Sequence, residues 1–213
     1  MKRKMNRLST SCALAAGLIF GVVSGANANL VANGDFEAGS YGGGSFQTLS
    51  AGSTALTDWT IGSGGSIDWI GSYWAAASGA KSIDLSGNAP SLVSQAINLV
   101  SGQTYSISFA YGRNPDGNAS QPFKVELGNF SAEVSNPTQA SQWQSYSNTF
   151  TSDATGSYSL KFTANGGNGP YGPALDNIIL TAVPLPAAAW LFGTALAGLG
   201  FARKYRRGEM LVA

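Results

Sequence analysis

The 213-residue chain contains no histidine, a single cysteine, and only 11% charged residues, against roughly 25% in ordinary soluble domains. Without histidine there is no imidazole base or imidazole metal ligand. Ser-His-Asp and Cys-His nucleophile activation and His-ligated zinc are therefore excluded. The one cysteine, Cys12, lies in an apolar N-terminal run, which leaves the rest of the chain without thiol, disulfide or cysteine-bound metal. Long helical periodicity is also missing between residues 29 and 182. No Gly-rich stretch ends in the GK[ST] of a phosphate-binding loop.

The near balance of 12 basic and 11 acidic residues conceals a segregation. Lys2, Arg3, Lys4 and Arg7 open the chain, and Arg203, Lys204, Arg206 and Arg207 stand near its end. Between residues 29 and 183 only four bases face ten acids, a net of about −6. An acidic middle excludes a basic nucleic-acid surface.

What the middle does contain is a series of short β-rich runs between Gly, Asn, Pro and Ser clusters, the pattern of a sandwich or barrel. Residues 104–111 alternate, with Tyr105, Ile107, Phe109 and Tyr111 on one face, and residues 156–163 repeat the pattern with Tyr158, Leu160 and Phe162. Further strands are expected at 29–32, 58–61, 66–70, 82–85, 92–99, 123–127, 130–134, 142–151 and 175–181. This predicts an all-β fold, an antiparallel two-sheet sandwich of about five strands per sheet.

The termini read as transport segments. Basic residues, the apolar run 12–23 and the small-residue site Ala26-Asn27-Ala28 have the order of a secretory signal peptide, with cleavage by signal peptidase expected after Ala28. The apolar run 187–202 would span about 24 Å as a helix, slightly short of a ~30 Å bilayer core. The basic cluster after it should hold that end in the cytoplasm. Domains are accordingly expected at 1–28 (signal peptide), 29–182 (β-sandwich), 183–207 (anchoring segment with transmembrane helix) and 208–213 (cytoplasmic tail).

The motif Val183-Pro184-Leu185-Pro186, the short apolar helix and the end at Arg203, Lys204, Arg206 and Arg207 resemble the PEP-CTERM sorting signal. Leu185 stands where that signal usually has glutamate. The resemblance implies an exosortase partner and cleavage near the Pro motif in a Gram-negative bacterium. The domain would first be held at the inner membrane facing the periplasm. It would then pass to the cell surface or an exopolysaccharide-rich extracellular matrix.

The middle opens with LVANGDFE (residues 30–37) and continues with TDWTI (57–61), SIDWIGSYW (66–74), SIDLSG (82–87), GRNPDG (112–117) and YGPALDNI (171–178). In this order the motifs are similar to the choice-of-anchor C family of exported bacterial proteins. That resemblance implies a galactose-binding-like jelly roll on the surface, without an activity common to the family. It also implies a structural Ca²⁺ shared by Glu37 and Asp176, with Asp35 as a third ligand, because such an ion takes six to eight oxygen donors.

Trp59, Trp69, Tyr73, Trp74 and Trp143 are many large rings for a small domain. Rings can pack on the apolar faces of sugars while polar groups bond the hydroxyls. A carbohydrate site is expected at Trp69, Tyr73 and Trp74, joined by Arg113, Asn114 and Asp116. Strand alternation alternatively places Trp59 and Trp69 in the core. Asp68, Asp84, Asp116 and Glu126 could supply an acid/base pair for glycoside cleavage, yet no spacing singles out a pair. The expected function is therefore a non-enzymatic polysaccharide-binding surface protein. A purely structural surface protein is the alternative, and an envelope glycosidase the distant one.

Overall fold

The computed structural model describes residues 28–117, 121–135, 142–165 and 169–184. Among them no helix occurs, and none is therefore long and apolar enough to cross a membrane. The expected signal peptide, the transmembrane segment, Ala26, Leu185, Pro186 and the terminal basic cluster lie outside the described residues.

Eleven strands follow one another: β1 (Phe46–Ser50), β2 (Thr60–Ile61), β3 (Ser66–Ile70), β4 (Ser82–Asp84), β5 (Leu92–Leu99), β6 (Thr104–Arg113), β7 (Phe123–Leu127), β8 (Phe130–Val134), β9 (Gln144–Thr151), β10 (Gly156–Ala164) and β11 (Pro173–Ala182). They form two antiparallel sheets, ordered β1-β3-β4-β11-β6-β9 and β2-β5-β10-β7-β8. The sequence pattern explains this layering. Tyr105, Ile107 and Phe109 of β6, Phe123, Val125 and Leu127 of β7, and Leu160 and Phe162 of β10 all enter one buried cluster between the sheets. Leu127 pairs with Phe130 across a two-residue turn, where Gly128 adopts φ +58°, as a tight hairpin requires.

The expectation of two roughly five-stranded sheets agrees with this architecture, with two local corrections. Residues 29–32 form no strand. The Asn29 side chain binds this segment to β11 instead, accepting from Val31 and Leu180 amides and donating to the Ile178 carbonyl. Conversely, β1 was not expected, because Phe46 and Leu49 do not share a strand face and so show no alternation. Strand β11 carries a bulge between Asp176 and Ile179, with Asn177 at φ +51°. The extra residue switches the inward parity from Leu175 to Ile178 and Leu180, which are all buried.

The buried hydrophobic residues run from Val31 to Leu180. They lie wholly inside one compact unit, Asn27–Leu185. Residues 27–185 thus carry their own core.

Candidate functional site

Strand β3 is buried at all five positions, so both of its faces are covered. Ile67 and Trp69 face the main core, whereas Ile70 on the opposite face joins a second cluster with Trp74 and Ala174, flanked by Trp143. The cover is the connection 71–81, which lies over the outer face of the six-stranded sheet. Indole N–H bonds fasten it: Trp74 donates to the Ser82 hydroxyl and Trp143 to the Ala75 carbonyl, both at 2.9 Å.

Two carboxylates hold the far end of this connection. Asp176 Oδ2 accepts from the Ala77 and Ser78 amides at 2.8 and 2.9 Å, and its Oδ1 accepts from Asn177. Glu37 Oε1 accepts from the Ala80 and Lys81 amides, both at 2.6 Å, while Oε2 meets the Lys81 ammonium at 3.4 Å. Burial opposes ionisation of Glu37, but these amides and Lys81 outweigh it and lower its pKa. Burial instead pushes Asp176 up to about 6, against its three amide bonds.

Glu37 and Asp176 therefore converge, as expected for a shared ion, but onto N–H donors. All four oxygens already receive N–H donors or the Lys81 ammonium, groups that compete with a hard cation for the same lone pairs. Asp35 does not join them. It lines a separate depression with Asn29 and Asn177. Among the described residues no group of three acidic, His or Cys side chains could hold a metal. The arrangement suits amide gripping and does not fit Ca²⁺.

At the near end of the same connection a cleft of about 240 Å³ opens between β1, β3 and two loops. Its walls are Phe46, Tyr73 and Trp74, Asn114 and Asp116, and Pro170 and Tyr171, with Asp68 and Ile70 below. Phe46 is 44% exposed, and Tyr73 and Tyr171 are each 38% exposed. Tyr73 meets Phe46 at 5.6 Å and Trp74 at 5.5 Å between ring centres. Its hydroxyl donates to Asp116. That bond, with burial and nearby negative charge, pushes Tyr73 up to about 12.

The loop walls are fixed from beneath by Asp84, which is fully buried. Its Oδ1 accepts from the Ser86 amide, and its Oδ2 from Asn114 Nδ2 and the Gly172 amide, at 2.8, 2.7 and 3.2 Å. Asn114 in turn accepts from the Asp116 amide, and its own amide donates to the Gly172 carbonyl. A Cβ on Gly172 would lie 2.2 Å from Asp84 Oδ1, so this close approach requires glycine. Burial drives the Asp84 pKa up to about 7 despite the three donors. Asp68 sits directly opposite Asp84 in the strand pairing. Burial raises its pKa as well, partly offset by the Thr48 hydroxyl.

Four of the six predicted sugar-site residues (Tyr73, Trp74, Asn114 and Asp116) meet in this cleft. Trp69 does not: it is fully buried, donates to the Phe36 carbonyl and packs against Tyr41. Its strand alternation with Ile67 sends it inward. Arg113 is also elsewhere, beside a void of about 10 Å³ next to Trp74 and Trp143. Phe46, Pro170 and Tyr171 were missed, since isolated residues in loops or at a strand edge give no periodic signal. Glu126 lies in the other sheet, 2.7 Å from Lys124. A larger depression of about 540 Å³ runs along residues 52–61. Its one large ring, Trp59, is 4% exposed, with its N–H donated to the Asn33 carbonyl, so it offers no platform.

Residues 29–181 match the family model described as a protein of unknown function, DUF642. The chain belongs to the DUF642 family. This DUF642 chain is also 37% identical over 187 residues to halomucin of Haloquadratum walsbyi, a match covering 83% of the chain and 2% of halomucin. The chain thus spans a very small part of that relative. Among solved structures, it is similar to an arabinose-bound GH51 α-L-arabinofuranosidase, with TM-score 0.51 and 16% identity over 75% of this chain and 27% of the enzyme. It is also similar to a family 61 carbohydrate-binding module in complex with β-1,4-galactotriose, with TM-score 0.49 and 16% identity over 73% of this chain and 99% of the module. The DUF642 domain itself is an all-β sandwich of two antiparallel sheets.

Proposed function

We propose that this DUF642 chain is an exported, non-enzymatic surface or matrix protein that binds polysaccharide in the cleft between Phe46, Tyr73 and Tyr171. One observation carries the reading: three partly exposed rings surround a floor of oriented acceptors in a single concave site. Rings supply apolar faces for sugar C–H groups, and Asp68, Asn114 and Asp116 supply polar groups for hydroxyls. The cleft is also preorganised, because Asp84 ties both loop walls to the sheet.

A binding role suits Asp84 better than catalysis does. It is inaccessible and both its oxygens are occupied, so it cannot reach a glycosidic oxygen. The burial of Trp59 and Trp69 favours the purely structural reading, but the exposed rings favour binding. A glycan array on residues 27–185 tests this, followed by Phe46→Ala and Tyr171→Ala. Each truncation should weaken the best ligand about tenfold, the order expected from losing one aromatic contact. Absence of any glycan binding at millimolar concentration would favour the structural protein.

Export and sorting belong to the same proposal. The signal-like start and the Pro motif support it, as does the position of Val183 and Pro184 directly after β11. Val183 is still bonded to the sheet through the Thr104 carbonyl. A cut in the following residues would leave the compact domain whole.

A further inference from the structure

The charge pattern of the cleft narrows the glycan. We infer that it takes a polysaccharide carrying free amino groups and discriminates against acidic chains; this rests on the reading of the cleft as a polysaccharide site.

The cleft lining contains two carboxylates, Asp68 and Asp116, and neither lysine nor arginine. Asp68 is more than nine-tenths buried. The Thr48 hydroxyl donates to its Oδ1 at 2.5 Å, whereas its Oδ2 has no partner among the described residues. Asp68 lines the cleft, where its carboxylate can accept a further hydrogen bond from a ligand. Asp84 stands opposite it across the β3–β4 pairing, but burial holds that carboxyl largely protonated in mild acid, so the negative charge of the cleft rests on Asp68 and Asp116.

No cation among the described residues compensates. Lys81 is engaged by Glu37 and lies over the Tyr41 ring. Lys124 pairs with Glu126, and Lys161 is exposed on β10 of the other sheet. Arg113 borders the small void behind Trp74. A uronate or sulfate entering the cleft would meet like charge, which disfavours the wrong partner. A neutral hydroxyl could bond Asp68 Oδ2 but would leave its charge uncompensated. A sugar ammonium supplies several N–H donors and the opposite charge, giving the stronger charge-assisted bond. The faces of Tyr73 and Tyr171 add cation–π attraction nearby.

The test compares three hexamers by calorimetry on residues 27–185 in mildly acidic buffer: β-1,4-glucosamine, its N-acetylated form and galacturonate. The glucosamine hexamer should bind at least about tenfold more tightly than the acetylated one, the scale of one charge-assisted contact. Galacturonate should bind most weakly. Asp116→Asn lies at the rim of the cleft and should not impair folding; it and Asp68→Asn should each reduce the amine preference severalfold. Equal affinity for the two glucosamine forms overturns the inference while leaving polysaccharide binding intact. A preference that survives both substitutions also overturns it, since attraction would then come from the domain's general negative charge. If no hexamer and no array glycan binds, the underlying polysaccharide reading fails with it.

Discussion

Replacing Asp84 by asparagine separates the two opposing demands on this side chain. The carboxylate accepts three N–H bonds and joins two cleft walls, yet it is fully buried opposite Asp68. Its folded pKa is raised, from 3.8 to about 7. In that window the folded state binds more protons than the unfolded state, so stability falls as pH rises from about 4 to about 7. At about 1.4 kcal/mol per pH unit, the full loss is on the order of 4 kcal/mol. The substituted amide is a neutral isostere without this titration. It can orient its oxygen toward Asn114 and Gly172, which strands the Ser86 amide at about 1–3 kcal/mol. Denaturant unfolding across this pH range should therefore show Asp84→Asn less stable than wild type near pH 4. The two should converge or cross near pH 8. Asp176, also raised, slopes both proteins in the same direction and cancels in the difference, whereas Asp68, coupled to Asp84 across the strand pairing, titrates with less opposition in the variant and so flattens its curve further. A constant offset between the two curves at every pH would refute the reasoning.

Gly172→Ala should destabilise the domain by about 1–3 kcal/mol, the usual cost of forced overpacking, because its Cβ would collide with Asp84. Glycan affinity should fall with it; an unchanged denaturation midpoint would show that this loop is not pinned. Excess Ca²⁺ or a chelator should leave the melting temperature of residues 27–185 unchanged, since Glu37 and Asp176 already hold N–H donors. Stabilisation that grows with Ca²⁺ concentration, as linkage requires for any ligand of the folded state, would restore the metal site. Blots of the full chain from wild-type and exosortase-null strains should differ in size, and identical bands would count against processing at the Pro motif.

Features that depend on neighbouring residues were legible in the sequence; features that depend on sheet pairing were not. Tyr105, Ile107 and Phe109 announce β6 because every second residue meets the same core. The same rule sends Trp69 inward and thereby removes it from the sugar site, although its neighbours in SIDWIGSYW remain there. Alternation reports only the core face, however, and the opposite face of β3 is covered by a connection whose path no periodicity encodes. That Asp68 and Asp84 stand opposite each other follows from the β3–β4 register, which residue spacing does not reveal. Phe46 and Tyr171, 125 positions apart in sequence, meet only because β1 edges the sheet while the loop before β11 is pulled in by Asp84. The acidic residues of the middle were visible as a net charge, but their division of labour was not. Glu37 and Asp176 direct their charge at backbone amides at one end of the 71–81 connection. Asp84 directs its own at the loops of the other end. Asp68 instead lines the cleft, where a ligand can reach it.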